Sequence, residues 1–213
     1  MRALILTSIA LVFAASALQA QGSNASGAMR PAPARSGPVV VPPAAQQIAS
    51  AVLALPDSLR PGARVWGYAP DGSFTELRPA GANGSMTCIA SDPKDNRFHV
   101  ACYHNSLEPF MARGRELRAQ GADQNAVDSI REAEAKSGRI HMPANAALYQ
   151  LMGPDSVYNA ATNTVHGARS MFVIYVPFAT PETTGLSAQP KRGEPWLMDP
   201  GKAKAHIMLV PTM

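Results

Sequence analysis

Cysteine is scarce in this chain, whose 213 residues include only Cys88 and Cys102. Their separation excludes the C-x-x-C redox pair and the C-x-x-C-H haem attachment site. No cysteine lies close to the N-terminal apolar segment, so the sequence also lacks the lipid-attachment signal of bacterial lipoproteins. Any role of the two cysteines therefore depends on their meeting in the folded chain.

The short motifs of the common enzyme classes are also absent. The sequence contains no G-x-S-x-G nucleophile elbow, no H-E-x-x-H zinc helix, no P-loop and no G-x-G-x-x-G turn. Asp92 and Asp95 lie in one turn but lack the remaining ligands of a calcium loop. We therefore predict a protein without standard catalytic machinery and without a cofactor, although an uncommon enzyme would escape this test.

Positive charge is neither strong nor clustered. The formal net charge is +4, charged residues make up 16% of the chain, and aromatic residues make up 6%. A nucleic-acid-binding surface needs lysine and arginine gathered on one face. Arg113, Arg115 and Arg118 lie on different sides of one predicted helix, where we expect them to face solvent. The sequence therefore predicts no nucleic-acid partner.

Long apolar runs are missing after the first segment of the chain. One positive residue, Arg2, precedes an apolar run that ends at Phe13 and is shorter than the roughly 18–20 residues needed to span a bilayer. Small residues follow it. This order is typical of a signal peptide, here residues 1–20, cleaved after Ala17 or Ala20. We predict a secreted or periplasmic protein with no stable membrane anchor after cleavage.

Residues 21–43 consist mainly of Gly, Ser, Ala and Pro. Such a segment cannot bury enough apolar surface to offset its conformational entropy, so we predict a disordered linker. Regular structure is expected from Ala44, and residues 44–213 are enough for a single domain with its own core.

The two cysteines lie on what we predict to be two antiparallel strands joined by a turn at residues 92–96. If Cys88 faces Cys102, their Cα atoms lie about 4.5–5.5 Å apart, which a disulfide can span. Met86 then faces His104 on the same side of the pair. In this register the strands pair as far as Pro93 and Arg97, so the loop that joins them has about three residues. An oxidising compartment favours the disulfide, while a copper or zinc site and two free buried thiols are the alternatives.

Turn-forming residues divide the domain into strands, then helices, then strands. A short helix from Ala44 and two strands precede the cysteine hairpin, and we expect the four strands to form an antiparallel meander. Two amphipathic helices follow, the first capped by Ser106 and the second ended by Gly138. The apolar run Met171–Val176 predicts a central strand buried on both faces. The order predicts an α+β domain with two or three helices on one face of a mostly antiparallel sheet.

Histidine supplies most of the candidates for a functional site. In the predicted hairpin, His99 and His104 lie on opposite faces, so one pocket cannot hold both. His104, His166 and His206 are the candidate bases of a hydrolase of an uncommon type. The ten methionines, with histidine and the cysteines, are suitable ligands for copper(I) and suggest an exported metal-handling protein.

The leading hypothesis is a non-catalytic binding or interaction protein whose ligand or protein partner the sequence does not identify. Five aromatic side chains lie at or near predicted strand ends and loops. They either form a shallow recognition surface or cover the edge of the core. They are Trp66, Tyr68, Tyr158, Phe178 and Trp196.

Overall fold

The computed structural model describes residues 37–191 and 193–211. The strands are β1 (Arg64–Tyr68), β2 (Phe74–Arg78), β3 (Met86–Ile89), β4 (Arg97–His104), β5 (Ala146–Pro154), β6 (Tyr158–Asn159), β7 (Thr164–Val165), β8 (Arg169–Tyr175), β9 (Trp196–Met198) and β10 (His206–Leu209). Eight form one sheet in the order β2-β1-β3-β4-β5-β8-β10-β9, and β6 and β7 form a second, two-stranded sheet. Within the described ranges every strand pair is antiparallel except β1 with β3. The predicted α+β class with a mostly antiparallel sheet is confirmed.

The same ranges contain four α-helices. They are α1 (Ala44–Ala51), α2 (Glu108–Ala119), α3 (Gln124–Lys136) and α4 (Pro181–Thr184). Among the residues that the structure describes, no helix has the length and apolar character needed to cross a membrane. The predicted signal peptide, both cleavage sites and linker residues 21–36 lie outside the described residues, so they stay predictions.

Helices lie on both faces of the large sheet. Successive residues of β4 point to opposite sides. Tyr103 packs with Leu107, just before α2, whereas Cys102 packs with Ala51 at the end of α1. We call these two sides the α2 face and the α1 face. The α2 face carries α2 with α3 packed on it, which matches the two helices predicted on one face, and α1 covers part of the opposite face.

The cysteine hairpin has the register predicted from the sequence. Cys88 pairs directly with Cys102 at a Cα–Cα distance of 4.0 Å, and the two form a disulfide. Met86 pairs with His104, as predicted. Both cysteines are fully buried. Because the disulfide uses both sulfur atoms, the alternatives of free thiols and of a metal bound through cysteine are not supported.

The predicted meander is wrong in two details. β1 lies between β2 and β3 and pairs with β3 in parallel, so consecutive strands are not always neighbours. β3 also ends at Ile89. Beyond it the side-chain hydroxyl of Ser91 donates to the carbonyl oxygen of Arg97 (3.1 Å) and accepts the N–H of His99 (3.0 Å), in place of ladder pairs with β4. The connection to β4 therefore spans residues 90–96, which is longer than predicted.

The segment before α2 differs from the expected cap. A 3-10 helix, Asn105–Leu107, precedes α2, and the side chain that caps it belongs to His104. The prediction that Ser106 caps the helix is therefore wrong. The far end agrees better with the sequence, because Gly138 has a positive φ of 75° just after α3, as expected of a helix-ending glycine.

The arginines of α2 make specific contacts, so their predicted solvent-facing position is wrong for two of the three. The Nε atom of Arg113 donates to the buried carboxylate of Glu134 on α3 (2.9 Å). Arg115 donates to the hydroxyl oxygen of Tyr103 (2.7 Å) and lies 5.4 Å from the ring centroid of Trp66. Both therefore hold α2 against its neighbours.

β8 is buried on one face only, although its apolar run predicts burial on both. Met171 and Val173 point to the α2 face and are buried. Phe172 and Ile174 point to the α1 face, where they remain 38% and 37% exposed. The α1 helix packs over β1 and β4 and leaves this part of the sheet open. We call Phe172 and Ile174 the β8 patch.

Candidate functional site

A cleft in the described part of the chain has a volume of about 420 Å³ and lies beside the β8 patch. It opens where β3 begins, β4 ends and β5 begins. Its ten lining residues are Leu59, Ser85, Met86, His104, Ser106, Pro143, Asn145, Ala146, Ala147 and Tyr149. We call it the His104 cleft. Its volume falls within the roughly 300–1,000 Å³ typical of small-molecule sites.

The register of the sheet places these residues together. Met86 and His104 form the pair next to the disulfide on the α1 face, because paired residues two positions apart share a face. Tyr103 pairs with Leu148 in the next ladder, so Ala147 lies beside His104 on the same face. The disulfide therefore fixes the β3–β4 register directly beneath the cleft.

Hydrogen bonds fix the wall formed by the loop before β3. Asn105 receives a hydrogen bond on its side-chain oxygen from the hydroxyl of buried Thr87 (2.8 Å) and donates its amide to the carbonyl oxygen of Gly84 (2.9 Å). Its backbone N–H donates to the carbonyl oxygen of Ser85 (2.9 Å). The start of β3 and the end of β4 are thus joined through one side chain. Sequence reasoning missed Asn105 and Ser85, which no short motif marks.

His104 is the imidazole side chain of the cleft and is exposed. Its Nδ1 atom accepts the backbone N–H of Ser106 (3.3 Å) and lies 2.8 Å from the hydroxyl oxygen of the same residue. A neutral imidazole that accepts at Nδ1 carries its proton on Nε2. The hydrogen bond from the Ser106 N–H therefore favours the tautomer of His104 in which Nε2 carries the proton.

The cleft continues into the β8 patch. Ala147 pairs with Ile174 and Tyr149 pairs with Phe172, so the patch is the next row of the sheet after the cleft floor. The rings of Tyr149 and Phe172 meet edge to face with centroids 5.7 Å apart. The cleft and the patch together form one surface that is polar at the His104 end and apolar at the β8 end.

A smaller cleft of about 190 Å³ lies at the other end of β4 and includes Tyr68, Asp92, Asp95 and His99. Burial raises the pKa of the Tyr68 hydroxyl above its usual range, and the carboxylate of Asp92 adds to this effect. Burial likewise lowers the pKa of His99, and the positive charge of Arg97 lowers it further. Both side chains are therefore neutral near pH 7. The volume is below the usual range for small-molecule sites, so this cleft is the weaker candidate.

The structure does not bring the three candidate histidines together. His206 lies on the α2 face, where its ring stacks on Tyr175 at 5.3 Å between centroids and its Nδ1 lies 2.7 Å from the carbonyl oxygen of Lys204. Burial lowers the pKa of His206. His166 is exposed after β7, and its backbone N–H donates to Val157. Of these three histidines, His104 is the one that lines one of the two clefts described above.

The other sequence-based site hypotheses find less support. Four of the five aromatic residues near strand ends are engaged in packing, and Phe178 is 38% exposed. For example, Trp66 stacks on Phe74, and Tyr158 stacks on Phe98. In the ranges that the structure describes, no group of three or more His, Cys, Asp or Glu side chains could hold a metal ion. The His104 cleft is therefore the candidate site that the geometry supports best.

In comparisons with known proteins, no family model, curated protein or solved structure matches the chain.

Proposed function

We propose that the protein is an exported, non-catalytic binding protein whose ligand site is the His104 cleft. The observation that carries the proposal is the continuity of a cleft of about 420 Å³ with the exposed β8 patch. Ligand sites are concave and mostly apolar, with a few placed polar groups. The lining of the cleft fits this description, and Phe172 and Ile174 extend its apolar side.

Two features support export. The first twenty residues have the order of a signal peptide. The disulfide between Cys88 and Cys102 is typical of proteins that mature outside the reducing cytosol.

The neutral dye N-phenyl-1-naphthylamine, whose fluorescence rises in apolar surroundings, tests the binding site. We expect saturable binding with one dye per chain. Phe172→Ser is expected to weaken it about ten-fold, because the variant removes an aromatic ring from the apolar end of the surface. A fluorescence titration measures the affinity of each variant.

Phe74→Ser is the matched control. Phe74 is also 38% exposed, but it lies on β2, five strands away from β8, or roughly 24 Å. We expect its dye affinity to equal that of the unaltered protein. Equal weakening in both variants, or no saturable binding to the unaltered protein, would reject the His104 cleft as the site.

An uncommon hydrolase is the second candidate, and the 2.8 Å contact between Nδ1 of His104 and the hydroxyl of Ser106 is the observation in its favour. A serine nucleophile needs a base within this distance. However, the same nitrogen also accepts the Ser106 N–H, as expected of a helix cap. Both hydrogen bonds of His104 in the described structure involve Nδ1, so no third group orients the ring from Nε2.

A fluorophosphonate probe separates the two candidates, because it labels activated serines covalently. For the binding protein we expect no labelling of Ser106 in the folded protein, measured by mass spectrometry of its peptides. Labelling of Ser106 that disappears in His104→Ala would instead establish an activated nucleophile and replace the non-catalytic proposal.

A further inference from the structure

We propose that the ligand of the His104 cleft is an apolar monocarboxylate, with its carboxylate at Nε2 of His104 and its hydrocarbon part on the β8 patch. This inference rests on the proposed binding function and adds the chemical class of the ligand. It follows from which polar groups the cleft offers and from where its apolar surface lies.

The polar end of the cleft requires a hydrogen-bond acceptor. In the neutral imidazole Nδ1 is occupied as an acceptor of the Ser106 N–H, so Nε2 carries the proton. In the protonated imidazole both nitrogens donate, and the Ser106 hydroxyl lies close enough to accept from Nδ1. His104 therefore donates from Nε2 both in the neutral tautomer that accepts the Ser106 N–H and in the protonated state. A ligand group at this position has to accept.

The hydrogen-bond donors of the lining, together with its lack of carboxylates, favour an anion over a cation. The ten lining residues include no aspartate and no glutamate. A ligand ammonium group would lose water there without gaining a carboxylate partner, which is costly. A carboxylate can instead accept from Nε2 of His104, from the amide of Asn145 and from the hydroxyl of Ser85, which all line the same cleft. Hydrogen bonds to a charged group are stronger than those to a neutral one.

The distance between His104 and the β8 patch requires a ligand with a long hydrocarbon part. His104 lies on β4, and the β8 patch lies two strands away across β5. Neighbouring strands are about 4.8 Å apart, so the distance from the polar end to the patch is roughly 10 Å. Tyr149 bridges the gap, because it lines the cleft and contacts the ring of Phe172. A short polar acid would leave this surface exposed, whereas a long alkyl or arylalkyl chain would cover it.

Three probes with the same chain and different head groups test the inference. Displacement of N-phenyl-1-naphthylamine from the unaltered protein at pH 7.5 is measured with dodecanoate and dodecylammonium below their micelle-forming concentrations, and with dodecanol below its solubility limit. We expect dodecanoate to bind about ten-fold more tightly than dodecanol, from the hydrogen bond between a charged acceptor and Nε2–H. Dodecylammonium is expected to bind most weakly.

Variant proteins assign the preference to the two ends of the cleft. His104→Asn retains a side-chain acceptor for the Ser106 N–H, since asparagine is a favoured helix cap, but its amide donor is carried on a shorter side chain and does not reach the position of Nε2. In this variant we expect dodecanoate to bind no better than dodecanol, because the stronger hydrogen bond of the carboxylate to Nε2–H is lost. Phe172→Ser should weaken both probes by the same factor, and Phe74→Ser should weaken neither.

The outcomes separate this inference from the proposed function. Equal affinities for the three head groups, tighter binding of dodecylammonium, or a carboxylate preference that persists in His104→Asn would each overturn the monocarboxylate. If the dye still binds in a manner sensitive to Phe172→Ser, the binding function survives such a result. Absence of saturable dye binding would overturn both.

Discussion

Replacing both cysteines in Cys88→Ala/Cys102→Ala is expected to lower the free energy of unfolding by about 3 kcal/mol. The disulfide joins residues 14 apart in the sequence and therefore closes a loop of about 15 residues, which restricts the unfolded chain. Alanine is the suitable replacement because both positions are fully buried, and serine would bury a hydroxyl. Urea unfolding of the variant and of the oxidised, unaltered protein measures the difference.

Reduction of the unaltered protein supplies the control. It removes the cross-link without changing any residue, so the urea midpoint should fall by a similar amount when a reductant is present throughout unfolding. The double alanine variant should be insensitive to the reductant. A midpoint that is the same with and without reductant in the unaltered protein would contradict the structural role of the bridge.

The sequence predicted the central hairpin well because one constraint was sufficient. Once Cys88 faces Cys102, the alternation of strand residues determines every other pair in β3 and β4 and the face on which each side chain lies. The pairing of Met86 with His104 followed from this and proved correct. The separation of His99 from His104 on opposite faces followed for the same reason.

The position of β1 could not be predicted in this way. Pro70-Asp71-Gly72 specifies a tight turn, and β1 does pair with β2 beside it. The turn contains no information on which of the two strands joins the rest of the sheet. That choice depends on contacts distant in sequence, such as the hydrogen bond from Ala90 to Trp66.

The local sequence of β8 also could not predict that one face of this strand is exposed. An apolar run such as Met171–Val176 is compatible with a strand covered on both faces and with a strand that leaves one face free for a ligand. The difference lies in where α1 packs, which no feature of β8 records. The His104 cleft was hidden for a similar reason, because Ser85, Asn145 and Tyr149 come from separate segments and converge only in the fold.

Gly84→Ala is expected to destabilise the protein by about 3 kcal/mol, at the upper end of the usual cost of overpacking. A Cβ atom at Gly84 would lie 1.8 Å from the carbonyl oxygen of Gly62. That carbonyl already accepts the N–H of Gly81 (2.9 Å), and the N–H of Gly84 donates to Gly81 (2.9 Å). The clash is with backbone, so no side-chain rotation can relieve it, and the loop before β3 has to move.

The movement of this loop should also disturb the His104 cleft. The carbonyl oxygen of Gly84 accepts the Asn105 amide, and the next residue, Ser85, lines the cleft. We therefore expect Gly84→Ala to weaken dye binding as well as to lower the urea midpoint.

Gly72→Ala is the control, because a Cβ there meets open space and only the positive φ of 81° is unfavourable. We expect it to cost roughly 1–2 kcal/mol and to leave dye binding unchanged. Equal effects of the two variants on stability and on binding would mean that the three-glycine contact does not shape the cleft.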